Sequence, residues 1–340
     1  AGPAATLAIQ TGNGQAAQVG TAVTTPPAVL VTDQFGNSVS GRSVTFAVAS
    51  GGGSVVGGAA TTGSNGIAAV TSWTMGTVVG ANTLTATSAG LTGSPLLFTA
   101  TATVGAALQI SVSTGDGQSA TVGQAVATDP AVLVTDQFSN PVSGAAVIFA
   151  VSAGGGSVTG ATPTTNASGI ATLGSWTLGT VATAPVTANN TLQATVTGGG
   201  SVNFSATANP GAVTSVVVSQ GDGQSARPGT AVSTAPSVRV RDSFGNDVCG
   251  AAVTFAVTAG GGSVTGGGTT ASCTGFGAIA TVGSWTVGIT GTLANGAYAN
   301  GLSATSNGAS AGFTATARYS YSLDVQPIYN TSCTFCHPSL

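Results

Sequence analysis

Asp33-Gln34-Phe35-Gly36-Asn37-Ser38-Val39-Ser40-Gly41-Arg42-Ser43-Val44-Thr45-Phe46-Ala47-Val48 is the stretch whose reading decides the fold. Val44, Phe46 and Val48 alternate with Thr45 and Ala47, the period of two that marks a half-buried strand. Phe35-Gly36-Asn37 ahead of them is turn chemistry. The stretch then returns twice. Asp136-Gln137-Phe138 leads to Val147, Phe149 and Val151, and Asp242-Ser243-Phe244 leads to Val253, Phe255 and Val257. The second copy carries Ser139 where the others have Gly36 and Gly245, and Pro141 follows Asn140, changes that leave the pattern intact.

Other landmarks keep the same spacing. Gly12-Asn13-Gly14-Gln15 recurs as Gly115-Asp116-Gly117-Gln118 and Gly221-Asp222-Gly223-Gln224. Ser72-Trp73-Thr74 recurs as Ser175-Trp176-Thr177 and Ser284-Trp285-Thr286. A period near 100 residues is too long for a solenoid unit and fits a whole β-sandwich domain. In the first unit the pattern predicts seven strands, near 5–11, 19–23, 28–33, 43–49, 66–74, 82–87 and 95–102, with turns about every ten residues. One Trp per unit reads as a core residue. The expected fold class is therefore all-β: three tandem antiparallel β-sandwich domains, 1–104, 105–210 and 211–318, followed by a short tail, 319–340. The linkers are a few residues long, which favours a stiff rod.

Composition agrees. Only 4% of the 340 residues are charged, Lys and Glu are absent, and Gly numbers 53. Little charge with many β-branched residues and glycines favours sheets and turns over helices. A net charge of −3 without a basic cluster argues against nucleic acid. No run of 18 apolar residues is present, so no membrane span is expected. Ala1-Gly2-Pro3 reads as a mature N-terminus after export. Nothing suggests an enzyme: there is no Ser/His/Asp set, no carboxylate pair in a pocket and no phosphate loop, because Gly260-Gly261-Gly262 has turn context and no following helix.

The pattern D-x-F-G-N-x-V-x-G-x-x-V-T-F-x-V, then G-G-G-S-V, then G-I-A-x-V-x-S-W-T-x-G resembles the bacterial Ig-like repeats of the invasin and intimin group. The resemblance covers almost all of residues 1–318. It implies surface-displayed, rod-forming modules and an extracellular or cell-surface location. It implies no particular function, since such sandwiches serve as spacers, adhesins and filament subunits.

The chemistry-bearing residues gather in the tail. Cys333-Thr334-Phe335-Cys336-His337 is a C-x-x-C-H run holding two of the four cysteines and the single histidine. In a haem-attachment run of this form two thiols bond the haem vinyl groups and the histidine ligates the iron. Asp324-Val325-Gln326-Pro327-Ile328-Tyr329 ahead of it resembles the opening of many bacterial c-type cytochrome domains, which implies one covalent haem c per chain, with His337 as axial ligand. Two other readings stay open: a zinc site built on Cys333, Cys336 and His337, and a C-x-x-C disulfide or redox pair. A tail of about 22 residues is too short to enclose a haem by itself. The cover would come from the third Ig-like domain or from a neighbouring copy in a homo-oligomer or filament. For the sixth ligand, Met75 reads as core beside Trp73, while Ala1 of another subunit, Tyr329, an external histidine or a five-coordinate iron remain.

Cys249 replaces Ser40 and Ser143, and Cys273 lies in a small insertion of the third copy. Both are expected in loops flanking the strand of Phe255, joined as a disulfide. The functional expectation is an exported c-type cytochrome that assembles and passes electrons to a redox partner. The alternative is a structural or adhesive surface fibre whose terminal cysteines carry no haem.

Overall fold

The structure, a computed structural model, describes residues 1–182, 190–274 and 277–319. Cys333, Cys336, His337 and Tyr329 fall outside the described residues, as does the whole tail after Tyr319.

Each unit is two antiparallel-based sheets packed over one core. In the first, Ala4–Thr11, Ala28–Asp33 and Ile67–Ala69 form the smaller sheet. Gln15–Gln18, Leu96–Thr103, Gly80–Thr87, Ser43–Ser50 and Ala59–Thr61 form the larger, in that order. The second and third units repeat this arrangement, each around its own cluster of buried residues. No helix occurs among the described residues. The chain is therefore all-β, three Ig-like sandwiches in tandem.

The alternating residues do what their period requires. Val44 and Phe46 are buried while Ser43, Thr45 and Ala47 are exposed. Phe46 meets Phe98 of the same sheet with ring centroids 6.2 Å apart, Phe149 meets Phe204 at 6.1 Å, and Phe255 meets Phe313 at 6.2 Å. Trp73, Trp176 and Trp285 lie wholly inside, as does Met75. Each indole Nε1 lacks a partner among the described residues, so the ring is held by apolar contact alone.

Two of the seven expected strands need correction. Residues 19–23 make one bridge, Ala22 with Thr74, and not a strand. The strand ends earlier, at Gln15–Gln18, where it pairs parallel to Leu96–Thr103, and Gly20 at φ 71 then turns the chain. Residues 66–74 split into Ile67–Ala69 and Ser72–Thr74. The first pairs with Ala28–Asp33, and the second pairs with Ser54–Val56 in a separate ribbon. Val70 N–H donates to Pro27 O at 3.1 Å and Thr71 N–H to Val56 O at 2.8 Å, so the chain changes partners between them. That switch carries Trp73 into the core. The short strands Ser54–Val56 and Ala59–Thr61 were not expected; their Gly-rich flanks hide the alternation.

The Gly-x-Gly-Gln motif is a loop clamp. Gln15 donates to Gly12 O at 2.9 Å and Thr25 O at 2.7 Å, and accepts from Thr25 N–H at 2.8 Å. Gln118 and Gln224 repeat all three bonds.

Candidate functional site

The Asp-x-Phe-Gly-Asn loop that announces each repeat is also the device that joins one repeat to the next. Asp136 accepts hydrogen bonds from Phe138 N–H at 2.8 Å and Asn140 N–H at 3.0 Å through Oδ1. Its Oδ2 accepts from the linker N–H of Gly105 at 3.0 Å. The Asn140 amide is clamped against both carboxylate oxygens. Held in this way, it reaches back into the first unit. Its Nδ2 donates to Thr77 O at 2.9 Å and its Oδ1 accepts from Val79 N–H at 3.3 Å. The Phe138 ring lies on Gly20, so closely that a Cβ there would sit 2.7 Å from the ring.

The second joint uses the same parts. Gly211 N–H donates to Asp242 at 2.9 Å, Asn246 Nδ2 donates to Thr180 O at 2.9 Å, and Ala182 N–H donates to Asn246 Oδ1 at 2.9 Å. Phe244 covers Gly123, where a Cβ would lie 3.5 Å from the ring. In the first unit the loop is built identically, with Gly2, Phe35 and Asn37 N–H groups on Asp33 at 2.7, 2.9 and 2.9 Å, but it faces solvent. Exposure tracks docking: Phe138 is 37% exposed, Phe244 54% and Phe35 77%.

The cage fixes the charge of its carboxylates. Hydrogen bonds from the Asn37 side chain and the Gly2 N–H hold Asp33 far below the usual carboxylate range. For Asp136 and Asp242 burial pushes upward, but the combined donors outweigh it and both carboxyls are lowered. All donors in the cage are N–H groups, which leaves it a hydrogen-bond hub with no cluster of ligands for a cation. No group of three or more His, Cys, Asp or Glu side chains suited to a metal ion occurs among the described residues.

The third unit carries features of its own next to the tail. Cys249 and Cys273 are bridged, with Cα atoms 5.4 Å apart. Cys249 is in a loop as expected, but Cys273 is in an added strand, Ser272–Thr274, paired with Gly277–Thr281 at the sheet edge. The inserted residues extend the sheet because its edge offered free backbone groups. Arg239 grips Asp247 through two bonds of 2.6 Å, with Arg241 Nε 3.7 Å from the same carboxylate. Tyr319, the last described residue, is exposed beside an open pocket of about 480 Å³ that Pro228, Gly229, Ile289 and Thr290 also line.

The cysteines and histidine of the C-x-x-C-H run lie outside the described residues. The donor set itself, two thiols and one imidazole at that spacing, fits haem c attachment. Met75 is buried in the first core, with its N–H on Thr21 O at 2.9 Å, and is not available as a ligand at the tail.

The joint residues were missed as a set. Asn37 reads as a turn former, while Asn140, Asn246, Gly20, Gly123 and Gly229 carry no reading of their own in the sequence. Their common signal is recurrence at one position of every copy. The same holds for Asn82, Asn190 and Asn300, buried in N-x-L-x-A-T, whose Oδ1 atoms accept from Gly76, Gly179 and Gly288 N–H at 3.1, 2.9 and 2.8 Å.

No family model matches the chain, and no curated protein matches it in sequence. Similar solved structures exist. One is FdeC, an Escherichia coli adhesin: 17% identity, 93% of this chain and 99% of that one, TM-score 0.48. InvD of Yersinia pseudotuberculosis gives 16% identity, coverages of 92% and 96% and a TM-score of 0.45. Invasin, a bacterial integrin-binding protein, gives 18% identity, 91% of this chain, 60% of that one and a TM-score of 0.43. No helix is long and apolar enough to cross a membrane among the described residues.

Proposed function

We propose that the chain is an exported structural stalk: three Ig-like domains locked end to end, presenting the segment after Tyr319. The observation that carries this is the joint, built twice from the same Asp, Phe and Asn against the same glycine and carbonyl of the preceding domain. A hinge would not need a side-chain amide bonded to both neighbours. The Cys249–Cys273 bridge supports an oxidising compartment. Antibody against the third domain is expected to label intact cells. Signal that appears only after lysis overturns the display reading.

A second reading is favoured by one specific observation, the Cys333-x-x-Cys336-His337 run. In it the stalk carries one haem c. Cys333 and Cys336 would hold the macrocycle through thioether bonds and His337 would ligate the iron. The group would supply one-electron transfer, and the chain's part is to place it at one end of a stiff support. Three domains end to end put successive tails on the order of 100 Å apart, from strands of 7–9 residues at about 3.3 Å rise. Direct tunnelling between such tails is too slow, so a conducting assembly needs its haems gathered centrally. A visible spectrum with intact mass decides this: a Soret band with one haem mass per chain supports it, and a colourless chain of polypeptide mass overturns it.

A further inference from the structure

We infer that a third joint forms between molecules, in which the Phe35/Asn37 loop of one chain docks into the open end of the third domain of a second copy. This goes beyond the stalk reading and does not depend on haem. Both halves are present and unpartnered among the described residues. The loop of the first domain has the complete cage: Asp33 holds the Asn37 side chain at 3.2 and 3.0 Å, as Asp136 holds Asn140. Asn37 nevertheless is exposed, bonded only within its own loop among the described residues, and Phe35 stands in solvent.

The other half is the end of the third domain. Gly229 stands where Gly20 and Gly123 take the phenylalanine rings. Ile289 stands where Thr77 and Thr180 supply the accepting carbonyl, and Gly291 where Val79 and Ala182 supply the N–H. Two differences are local: Thr290 N–H is turned onto Gly260 O at 3.0 Å, and Gly291 takes φ 119, which Val79 and Ala182 do not; the site is open as the pocket of about 480 Å³ beside Tyr319. The one charged side chain aligned with the joint lining is Arg227, which stands where Gln18 lines the first joint beside Asp136, so it would face the acidic Asp33 loop of a copy and not repel it. A plug and socket on opposite ends of one chain make a heterologous contact, which propagates into a filament. Because each contact is one ring and two hydrogen bonds, it is weak and appears at high concentration or where chains are crowded on a surface.

Sedimentation velocity of the full chain over rising concentration tests this. The wild type is expected to form species whose frictional ratio rises with mass. Phe35→Ala, which alters an exposed side chain, is expected to weaken association at least tenfold, and Ile289→Arg to do the same from the socket side. Leu97→Ala, also exposed on the first domain but on the larger sheet and not in the loop, is expected to change nothing. A mixture of Phe35→Ala and Ile289→Arg chains retains one good plug and one good socket, and is expected to stop at dimers. Cys333→Ser/Cys336→Ser chains are expected to associate as the wild type does. The inference is overturned if the wild type stays monomeric throughout, which would leave the plug for another Ig-like domain. It is equally overturned if Phe35→Ala associates normally. Association lost only in the double serine variant would overturn the joint while leaving the haem reading standing.

Discussion

At the residue scale the Asp cage is the most economical device in the molecule. One carboxylate orients its own turn, holds the linker N–H and aims an asparagine at the preceding domain. Its pH dependence follows. Asp33, Asp136 and Asp242 have folded pKa values below the ordinary aspartate value. The stability they contribute is fully present above the unfolded pKa near 3.9 and is lost as pH falls through that value toward the folded ones. The melting temperature is expected to be flat from pH 7 to about 5 and to fall below about pH 4, with a shallower fall in Asp136→Asn. An unchanged slope in that variant would remove the cage from the account. The sequence displayed the aspartates through their recurrence, but their partners are backbone N–H groups, which every residue has and no motif can announce. Ser139 shows the limit in the other direction. It adopts φ 67 where Gly36 and Gly245 have φ 82 and 84, so the turn is kept at a steric cost that the letter alone does not show.

At the element scale, alternation located the strands whose faces differ most, such as Ser43–Ser50 and Leu96–Thr103. It failed where one apolar run serves two sheets. Residues 66–74 read as a single strand because Ile67, Val70 and Trp73 are all apolar, yet the partner changes between Ala69 and Ser72. Only long-range pairing defines that break. The added strand Ser272–Thr274 was invisible for a similar reason: an insertion reads as loop until it finds a sheet edge. Its tie to Cys249 closes a loop of 24 residues and stabilises by about 3 kcal/mol in the chain-entropy model. Calorimetry of Cys249→Ser/Cys273→Ser is expected to show the third domain melting several degrees lower, with the other two unchanged. A uniform shift of all three would mean that the domains unfold as one unit.

At the scale of the whole molecule, three near-copies of a sandwich are arranged so that the mark of each repeat is also its coupling to the one before. Repetition made the domain number and class readable from the sequence. The joint was not readable, because its receiving half is a glycine and the backbone C=O and N–H of one loop, chemically anonymous until Phe138 and Phe244 are seen to cover the glycine and Asn140 and Asn246 to bond the backbone. The C-x-x-C-H run is the reverse case: its chemistry is legible in the letters, and the described residues end before it. The central claim is that the joints fix the stack, and small-angle X-ray scattering of the dilute full chain tests it most directly. The account predicts a rod-like profile with a maximum dimension on the order of 100 Å for the three folded domains, which broadens and shortens on average in Asn140→Ala/Asn246→Ala. A wild-type profile already spread over bent forms, and unaltered by those two substitutions, would contradict it.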